Sequence, residues 1–426
     1  MLGIIITIVF VLTVVVGIPI GFCLALVSLA GLLVIGGVPL HLMPQRIFTG
    51  IDSFPIMAVP FFVLAGDLMN AAGITHRIIR FSSAMVGHIR GGLAHVNIVA
   101  SMFFAGVSGS AVADAAALGS ILIPAMEEDG YDKTFAASVV ASAAVIGPII
   151  PPSIPMVIYG LMGSVSIGGL FLSGFVPGVM MGLGLMIVSY IVARRKNYGT
   201  YRPFSLRELR DSFFGAIIPL LMPVIILGGI LSGVFTPTEA ASMAVAYALF
   251  IGFFVLRTMK LKDLPGILYR SMLVTATILM VMGCANIFSW VIGTEMIPQK
   301  ITQALISVST NPQVLLLLIN VLLLIVGCLM EGIAAIVLLV PILVPVAMHA
   351  GIHPLHFGLV VVLNMMIGLI TPPVGLCLFV SCSLAKVELL KLARVNMPFL
   401  IIEIVVLMIV TYVPQLVLFV PHLFGY

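Results

Sequence analysis

The sequence predicts an all-α polytopic membrane protein with two repeats of opposite orientation. Its 426 residues are 62% hydrophobic and only 8% charged, and the mean hydropathy of +1.31 lies far outside the range of soluble chains. Two similar Pro-Pro sequences interrupt apolar runs, and the basic residues cluster in alternate loops. Together these observations predict two inverted-topology repeats of five spans, each with a re-entrant hairpin and a broken helix.

The two interruptions, Ile146–Ser153 and Ile367–Val374, each contain adjacent prolines. Adjacent prolines remove two backbone donors and clash with the preceding turn, so both segments should be breaks in membrane-spanning helices. Inside a bilayer, unpaired backbone groups are tolerated only around a protein-lined cavity or a bound ion. A structural proline kink is the simpler alternative, and two matched copies favour it less than a single copy does.

An internal duplication relates the two halves. An offset of 221 positions carries Gly147 to Gly368, and the same offset carries Gly106 to Gly327. The arms of the first hairpin are shorter than the roughly 20 residues that a span needs, which predicts re-entry. The predicted units are a first repeat at 1–193 with a hairpin at about 93–126 and a broken helix at about 134–163, a basic cytoplasmic linker at 194–212, and an inverted second repeat at 213–426 with a hairpin at about 313–348 and a broken helix at about 354–383.

The remaining apolar runs predict ordinary spans. Residues 1–36 would form a helix of about 54 Å, longer than a hydrocarbon core of roughly 30 Å, and Gly17–Pro19 is the natural break. A basic segment, Thr75–Gly92, suits an arm that lies in the membrane interface. The other predicted spans are 53–72, 167–193, 213–233, 238–256, 271–293 and 397–422.

Charge placement predicts the orientation in the membrane. An odd number of crossings separates the repeats, so they should face opposite ways. If the basic arm is cytoplasmic, the cytoplasmic loops hold all of the 19 Lys and Arg residues except Arg46 and Lys300, in accord with the positive-inside rule. Both termini are then expected to be periplasmic. The net charge of +4 reflects this loop placement and does not indicate binding to nucleic acid.

Polar residues and glycines at the interruptions are the candidate ion-binding groups. Inverted repeats with broken helices are the architecture of secondary transporters, which bind substrate and coupling ions near the membrane midplane. Glycines let the backbone approach an ion, and freed carbonyl and hydroxyl oxygens are hard donors that suit sodium. The candidate sodium ligands are Ser108, Gly109, Ser110, Asp114, Gly327, Glu331, Gly332, Gly368 and Thr371.

Helix N-termini are the expected binding groups for an anionic substrate, because no Lys or Arg lies within a predicted span. Ser110, Ser153 and Thr371 are expected to begin half-helices, and Pro372 suits a first helical position. For Ser108 and Ser110, the alternative is that small residues permit close helix packing. The candidate substrate-binding residues are Ser108, Ser110, Pro152, Ser153, Thr371 and Pro372.

Five carboxylates lie in predicted spans or hairpins, where ionisable groups are costly and usually functional. Asp114 and Glu331 lie at or near the hairpin tips, and we expect Glu331 to offset the charge of a cation. Glu239 is expected to cap the start of a helix. Asp67 and Glu403 are expected to bond neighbouring helices.

The same residues allow two other functions. The sequence Gly106-Val107-Ser108-Gly109 resembles the nucleophile motif of rhomboid intramembrane serine proteases. A serine nucleophile needs a base within hydrogen-bonding distance, yet no histidine lies near the middle of a predicted span. A passive channel would not account for paired hairpins that enter from opposite faces. We therefore expect a transporter and not an enzyme.

Several motifs along the whole chain carry a family resemblance. They are Val59–Gly66 (VPFFVLAG), Ser108–Asp114 (SGSAVAD), Pro151–Ser153 (PPS), Phe235–Ala240 (FTPTEA) and Gly368–Pro373 (GLITPP). Together they resemble the large membrane subunit of tripartite ATP-independent periplasmic (TRAP) transporters. An acid at the tip of the second hairpin fits the family, and here it is Glu331.

The resemblance implies an elevator-type, sodium-driven importer of a small carboxylate in the bacterial inner membrane. Dicarboxylates, sialic acid and other sugar acids are the implied substrates. Two partners are implied as well: a small four-span membrane subunit and a periplasmic substrate-binding protein. The alternative is a self-sufficient sodium–dicarboxylate symporter of similar hairpin architecture, which needs no binding protein.

Overall fold

The computed structural model describes residues 2–199, 203–297, 299–301, 303 and 311–426. These residues form helices and no strands. Within this part of the chain, eight helices are long and apolar enough to cross a membrane. The prediction of an all-α polytopic membrane protein is therefore confirmed.

The described helices of the first half follow the predicted segments closely. A single 3-10 turn, Phe54–Met57, leads into α4. A short helix, α3, was not predicted. The helices are α1 (Leu2–Val15), α2 (Ile20–Ile35), α3 (Leu42–Thr49), α4 (Ala58–Ala71), α5 (Ile74–Val86), α6 (Gly92–Ser108), α7 (Ala111–Glu128), α8 (Lys133–Ala144), α9 (Ile154–Gly163), α10 (Ile167–Ser173) and α11 (Phe175–Lys196).

The described helices of the second half include a second pair at the predicted hairpin. The two helices of this pair, Pro312–Leu329 and Gly332–His349, are each long and apolar enough to cross a membrane. The helices are α12 (Leu206–Leu231), α13 (Pro237–Phe250), α14 (Leu264–Thr294), α15 (Pro312–Leu329), α16 (Gly332–His349), α17 (Pro354–Gly368), α18 (Leu376–Ala385), α19 (Leu389–Tyr412) and α20 (Pro414–Leu423).

Side-chain caps determine where several helices begin. The Asp132 carboxylate accepts hydrogen bonds from the amides of Thr134 and Phe135, at 2.9 and 3.1 Å, at the start of α8. At α13, the Thr236 hydroxyl accepts from the Glu239 amide at 3.3 Å, and the Glu239 carboxylate accepts from the Thr236 amide at 2.8 Å. This reciprocal pair is a capping box, and it confirms the role expected for Glu239.

The bounds of the last predicted span are wrong. The chain does not cross as a single helix at 397–422, because α19 begins at Leu389 and ends at Tyr412. Val413 precedes Pro414, and its backbone has φ −121° and ψ 75°. A proline disfavours helical backbone in the residue before it, so the helix ends there and the short α20 follows.

Two other boundaries differ from the prediction. α14 begins at Leu264 and not at 271, because Pro265 suits a first turn; Arg270 is therefore helical and does not lie in a loop. The predicted linker at 194–212 includes the end of α11 and the start of α12. Residues 200–202 of that linker lie outside the described residues.

The helices that position the site pack into two groups. In the first, α4 packs against α13 and α14, and α2 packs against α14. In the second, α8 packs against α7, α18 and α19, while α17 packs against α15 and α16. We call α2, α4, α13 and α14 the frame, and α6–α9 with α15–α19 the hairpin group. Contacts of α4 with α6 and α9 join the two groups.

Candidate functional site

The first hairpin turns at Ser108–Ser110, between α6 and α7. The Ser110 hydroxyl accepts a hydrogen bond from the Ala113 amide at 3.5 Å, and the Ser110 amide donates to the Ser108 hydroxyl at 3.2 Å. Gly109 has a φ of +62°, a left-handed conformation that favours glycine. A Cβ on Gly109 would lie 2.9 Å from the carbonyl oxygen of Pro152. The tip therefore rests against the first break and has no room for a side chain.

The first break lies between α8 and α9. The Ser153 hydroxyl accepts a hydrogen bond from the Met156 amide at 3.3 Å and donates one to the Pro148 carbonyl at 2.5 Å. The helix starts predicted at Ser153 and Ser110 are thus confirmed. Pro152 and Ser153 are both buried. The hydrogen bonds of the Ser153 hydroxyl therefore stabilise the backbone of the first break.

The second hairpin turns just before α16. The Glu331 carboxylate accepts a hydrogen bond from the Ala334 amide at 2.9 Å, so Glu331 caps α16 as Ser110 caps α7. Gly327, in the last turn of α15, lies against Gly368. A Cβ on Gly368 would overlap the main chain of Gly327. The second tip therefore rests directly on the end of α17.

The second break departs from the prediction. Thr371 and Pro372 do not begin a half-helix, because α18 begins at Leu376, directly after Gly375 at φ +58°. The Thr371 hydroxyl instead donates to the Ile367 carbonyl at 2.8 Å. After two prolines the chain needs a left-handed residue before the helix resumes, and glycine adopts that conformation at the lowest cost. The helix start expected at Thr371 is therefore wrong.

A cavity of about 140 Å³ lies between the frame and the hairpin group. Ser108, Gly109, Ser110 and Glu331 all line it, so both hairpin tips reach one place. Frame helices α4 and α14 form the facing wall. Among the described residues, no lysine, arginine or histidine lines the cavity. An anion in this space would meet hydroxyls, main-chain amides and the carboxylates of Asp67 and Glu331, and no basic side chain.

The other candidate site residues lie outside this cavity. Gly327 and Gly368 pack against main chain, whereas a Cβ on Gly332 would meet the side chain of Met366 at 3.0 Å. Asp114, Pro152 and Ser153 are buried behind the first tip. The candidates that do not line the cavity are Asp114, Pro152, Ser153, Gly327, Gly332, Gly368, Thr371 and Pro372.

Asp114 lies in the first turn of α7 and is fully buried. A Cβ on Gly147 would collide with its carboxylate, so this side chain lies against the first break. Ser108 is a polar neighbour, but neither carboxylate oxygen accepts a hydrogen bond of normal geometry from the described residues. A buried carboxylate without a partner is costly. A bound cation is the kind of group that would offset this cost.

The family described as "Tripartite ATP-independent periplasmic transporter, DctM component" matches residues 6–416. The chain belongs to this family. Three relatives of this DctM-family chain are themselves named as TRAP permeases. The sialic acid large permease SiaM of Vibrio cholerae is 46% identical over 412 residues, 96% of each chain. The C4-dicarboxylate large permease DctM of Pseudomonas aeruginosa is 45% identical over 89% of each. The isethionate permease DctMQ of Oleidesulfovibrio alaskensis is 43% identical, and the match covers 96% of this chain and 65% of that longer protein.

Two solved structures share the fold at low sequence identity. The YdaH transporter of Alcanivorax borkumensis superimposes with a TM-score of 0.62 over 87% of this DctM-family chain and 88% of YdaH. The efflux pump MtrF of Neisseria gonorrhoeae gives 0.59 over 87% of this chain and 84% of MtrF. Both are 13% identical in sequence, so the likeness concerns the fold alone. The three relatives described above are named as TRAP transporter permeases.

The facing wall of the cavity contains polar groups that the sequence analysis did not assign to the site. Asp67 and Asn70 of α4 both line it. The Ser271 hydroxyl of α14 donates to the Asp67 carboxylate at 2.5 Å, which confirms that Asp67 bonds a neighbouring helix. The sequence did indicate that Asp67 and Asn70 lie together, because residues three apart on a helix share one face. Glu403 differs, since both of its buried carboxylate oxygens lack a partner among the described residues; the bond expected for it is wrong.

Proposed function

We propose that this DctM-family permease imports a small carboxylate across the bacterial inner membrane by sodium symport. The observation that carries the proposal is the cavity in which both hairpin tips meet. Hydroxyl and carboxylate oxygens at Ser108, Ser110 and Glu331 suit a cation. Main-chain amides at helix starts suit the carboxylate group of a substrate.

Sodium is proposed to bind at both tips. Around the first tip the ligands would come from Ser108, Gly109, Ser110 and Asp114, whose buried carboxylate has no hydrogen-bonding partner in the described residues. Gly147 supports this arrangement, because its lack of a side chain leaves the space that the Asp114 carboxylate occupies. Around the second tip the proposed ligands are Gly327, Glu331, Gly332, Gly368 and Thr371.

The substrate carboxylate is proposed to lie at the N-terminus of α7. That terminus opens into the cavity through Ser110 to Ala113, and the positive end of the helix dipole favours an anion. At the start of α16 the Glu331 carboxylate already accepts from the helix amides, which favours a cation there. The named relatives carry sialic acid, C4-dicarboxylates and isethionate, and all three are small anions. Sialic acid and the C4-dicarboxylates are carboxylates, and isethionate is a sulfonate. A small carboxylate is the proposed substrate class.

The proposed mechanism moves the hairpin group relative to the frame. Ser110 and Glu331 stand 221 positions apart in the sequence and cap corresponding helices. The same offset relates Gly106 and Gly327, which both precede a tip. These correspondences support the inverted repeats at 1–193 and 213–426, with both termini in the periplasm. A cavity between two packed groups suits an elevator mechanism, in which one group carries the site past the other.

Two partners complete the proposal. The family description names a tripartite periplasmic transporter, which supports a small membrane subunit and a periplasmic substrate-binding protein as the other two components. The longer DctMQ relative continues beyond the part that matches this chain. We propose that the binding protein delivers the substrate and that the four-span subunit packs on this permease.

Reconstitution tests this function. The chain would be placed in proteoliposomes with the small subunit and the binding protein encoded beside it, and uptake of labelled sialic acid, C4-dicarboxylates and isethionate would be measured. Uptake of one of them should require an inward sodium gradient and should not respond to ATP. Full uptake without sodium, driven by a proton gradient, would overturn the sodium assignment. Full uptake by this chain alone would favour a self-sufficient symporter.

A further inference from the structure

A second cavity, of about 400 Å³, opens beside α5 and is lined by basic and hydroxyl side chains. The basic side of this cavity is formed by the first turns of α5, through His76, Arg77 and Arg80. Ser212 of α12 and Thr258, after α13, supply hydroxyls on the other side. No carboxylate lines this cavity in the part of the chain that the structure describes. The two cavities share no lining residue, and their linings differ in charge, because the transport cavity has no basic side chain among the described residues that line it.

In the part of the chain that the structure describes, the two arginines of this cavity have no acidic partner. Among the described residues, neither guanidinium lies within ion-pairing distance of a carboxylate. Arg77 donates one hydrogen bond, to the Gly215 carbonyl at 3.4 Å, and this bond holds its guanidinium at the cavity wall. An arginine carries five N–H donors, so most of them stay available. Arg80 and His76 also border a neighbouring cavity with Glu128, Asp129 and Glu208, and no ion pair joins Arg80 to these carboxylates.

Main-chain donors add to the positive charge. Gly73 lines the cavity and precedes α5 with a φ of +74°. No side chain caps this helix start, and His76, in its first turn, lines the cavity. Unfilled amides and the helix dipole favour phosphate oxygens at such a position. The Thr258 hydroxyl donates to the Ala72 carbonyl and the Ser212 hydroxyl donates to the Leu209 carbonyl, both at 3.0 Å. The basic side chains, and not these hydroxyls, therefore supply the side-chain donors for an anion.

Large exposed apolar side chains lie close in sequence to residues that line the cavity. Phe213 and Phe214 stand between the two α12 residues that line it, and they are 42% and 64% exposed. Phe254, in the turn that follows α13, is 68% exposed. Rings of this kind suit acyl chains at the edge of a bilayer. A basic pocket next to exposed aromatic rings is therefore matched to a molecule that has a phosphate and hydrocarbon chains.

We propose that the cavity formed by His76, Arg77, Arg80, Ser212 and Thr258 binds the phosphate headgroup of an anionic phospholipid. Both arginines contact the phosphate, and the acyl chains lie on Phe213 and Phe214. Basic pockets between membrane helices bind anionic headgroups in this way. The lipid would join the arm helix α5 to α12 and to the segment after α13, so it stabilises the frame side of the permease. This site is separate from the transport site and does not depend on the proposed cargo.

Retention of lipid by the purified full-length chain tests the proposal. Native mass spectrometry in detergent would compare dioleoyl phosphatidylglycerol with dioleoyl phosphatidylcholine, for the parent and for an Arg77→Gln/Arg80→Gln variant. The parent should retain the anionic lipid preferentially. The double variant should lose this preference by roughly tenfold or more, since each arginine near an anionic headgroup contributes a factor of about five. Phosphatidylcholine retention by the variant reports that it is folded.

Matched controls make the result decisive. Arg207→Gln/Arg210→Gln removes the same charge from exposed α12 residues that lie beside Asp211, and it should leave lipid retention unchanged. Arg80→Gln alone spares the bond to Gly215 and should show an intermediate loss. Equal losses in both double variants, or none in either, would overturn the site. Displacement of the lipid by inorganic phosphate, or by the small membrane subunit, would assign the cavity to that occupant and also overturn the proposal.

Discussion

Gly368, the last residue of α17, lies against the main chain of Gly327 in α15, so closely that a Cβ on Gly368 would overlap the Gly327 carbonyl group. The amide of Val374 also donates to the Cys328 carbonyl at 3.3 Å. The second hairpin and the second break therefore touch backbone to backbone. A movement of the second hairpin tip would therefore also move the second break.

Gly368→Ala should separate the second tip from the second break. We expect sodium-dependent uptake to fall about tenfold or more, and stability to fall by about 1–3 kcal/mol, because an inserted methyl group overpacks a tight contact. The control is Gly228→Ala in α12, where a Cβ meets nothing within 4 Å. Uptake assays and thermal unfolding check both variants. Parent-like uptake by Gly368→Ala would show that the contact does not hold the site.

Gly109→Ala should abolish most transport, because the new methyl group meets the Pro152 carbonyl at a left-handed position. The control is Gly130→Ala, which has a similar φ of +84° but open space around it. Both substitutions carry about 1–2 kcal/mol of backbone strain, so only the clash differs. Sodium titrations of uptake compare them. Equal losses in the two variants would mean that strain, and not the tip contact, determines the effect.

Asp114→Asn should weaken the apparent sodium affinity at least tenfold, which corresponds to about 1.4 kcal/mol. Folding stability should not fall, because the substitution removes a buried carboxylate that has no partner in the described structure. Glu403→Gln is the matched control, since Glu403 is equally buried and unpartnered but lies on α19. Uptake against sodium concentration gives both affinities. An unchanged curve for Asp114→Asn would remove Asp114 from the sodium site.

Glu331 has two roles that substitutions can separate. Glu331→Gln keeps an oxygen for the Ala334 amide, so we expect normal stability with weaker sodium dependence. Glu331→Ala removes the cap as well, which should cost about 0.5–2 kcal/mol of stability. Ser110→Ala, at the first tip, should cost a similar amount. If Glu331→Gln gives the parent sodium curve, the carboxylate serves only as a cap.

The membrane orientation is testable by labelling. Cys328 is the partly exposed native cysteine, while the other four are buried, so a Cys328→Ser background is suitable. We expect Lys262→Cys to react with an impermeant maleimide only from the cytoplasm, and Gln313→Cys only from the periplasm. Both residues are exposed. Reaction of both from one side would contradict the inverted repeats.

The sequence predicted most of the helices and the first tip, because glycine, proline and capping residues act locally. It placed Ser110 and Ser153 at helix starts, where the structure has them. It missed the start of α18, since nothing local distinguishes Thr371 as a cap from Gly375 as a left-handed turn. The bond from Ser271 to Asp67 joins residues 204 positions apart, and only tertiary packing brings them together.

The helix caps at Ser110 and Glu331 indicate how the ion-binding properties of the two halves can change during evolution. A hydroxyl at one tip and a carboxylate at the other each accept from the amide three residues later. Because the backbone requires only an acceptor, mutation between Ser, Asp, Asn and Glu at either position alters the local charge and leaves the helix start intact. A substitution at one of these two positions can therefore change the ion affinity of its half of the chain, and the intermediate protein still folds.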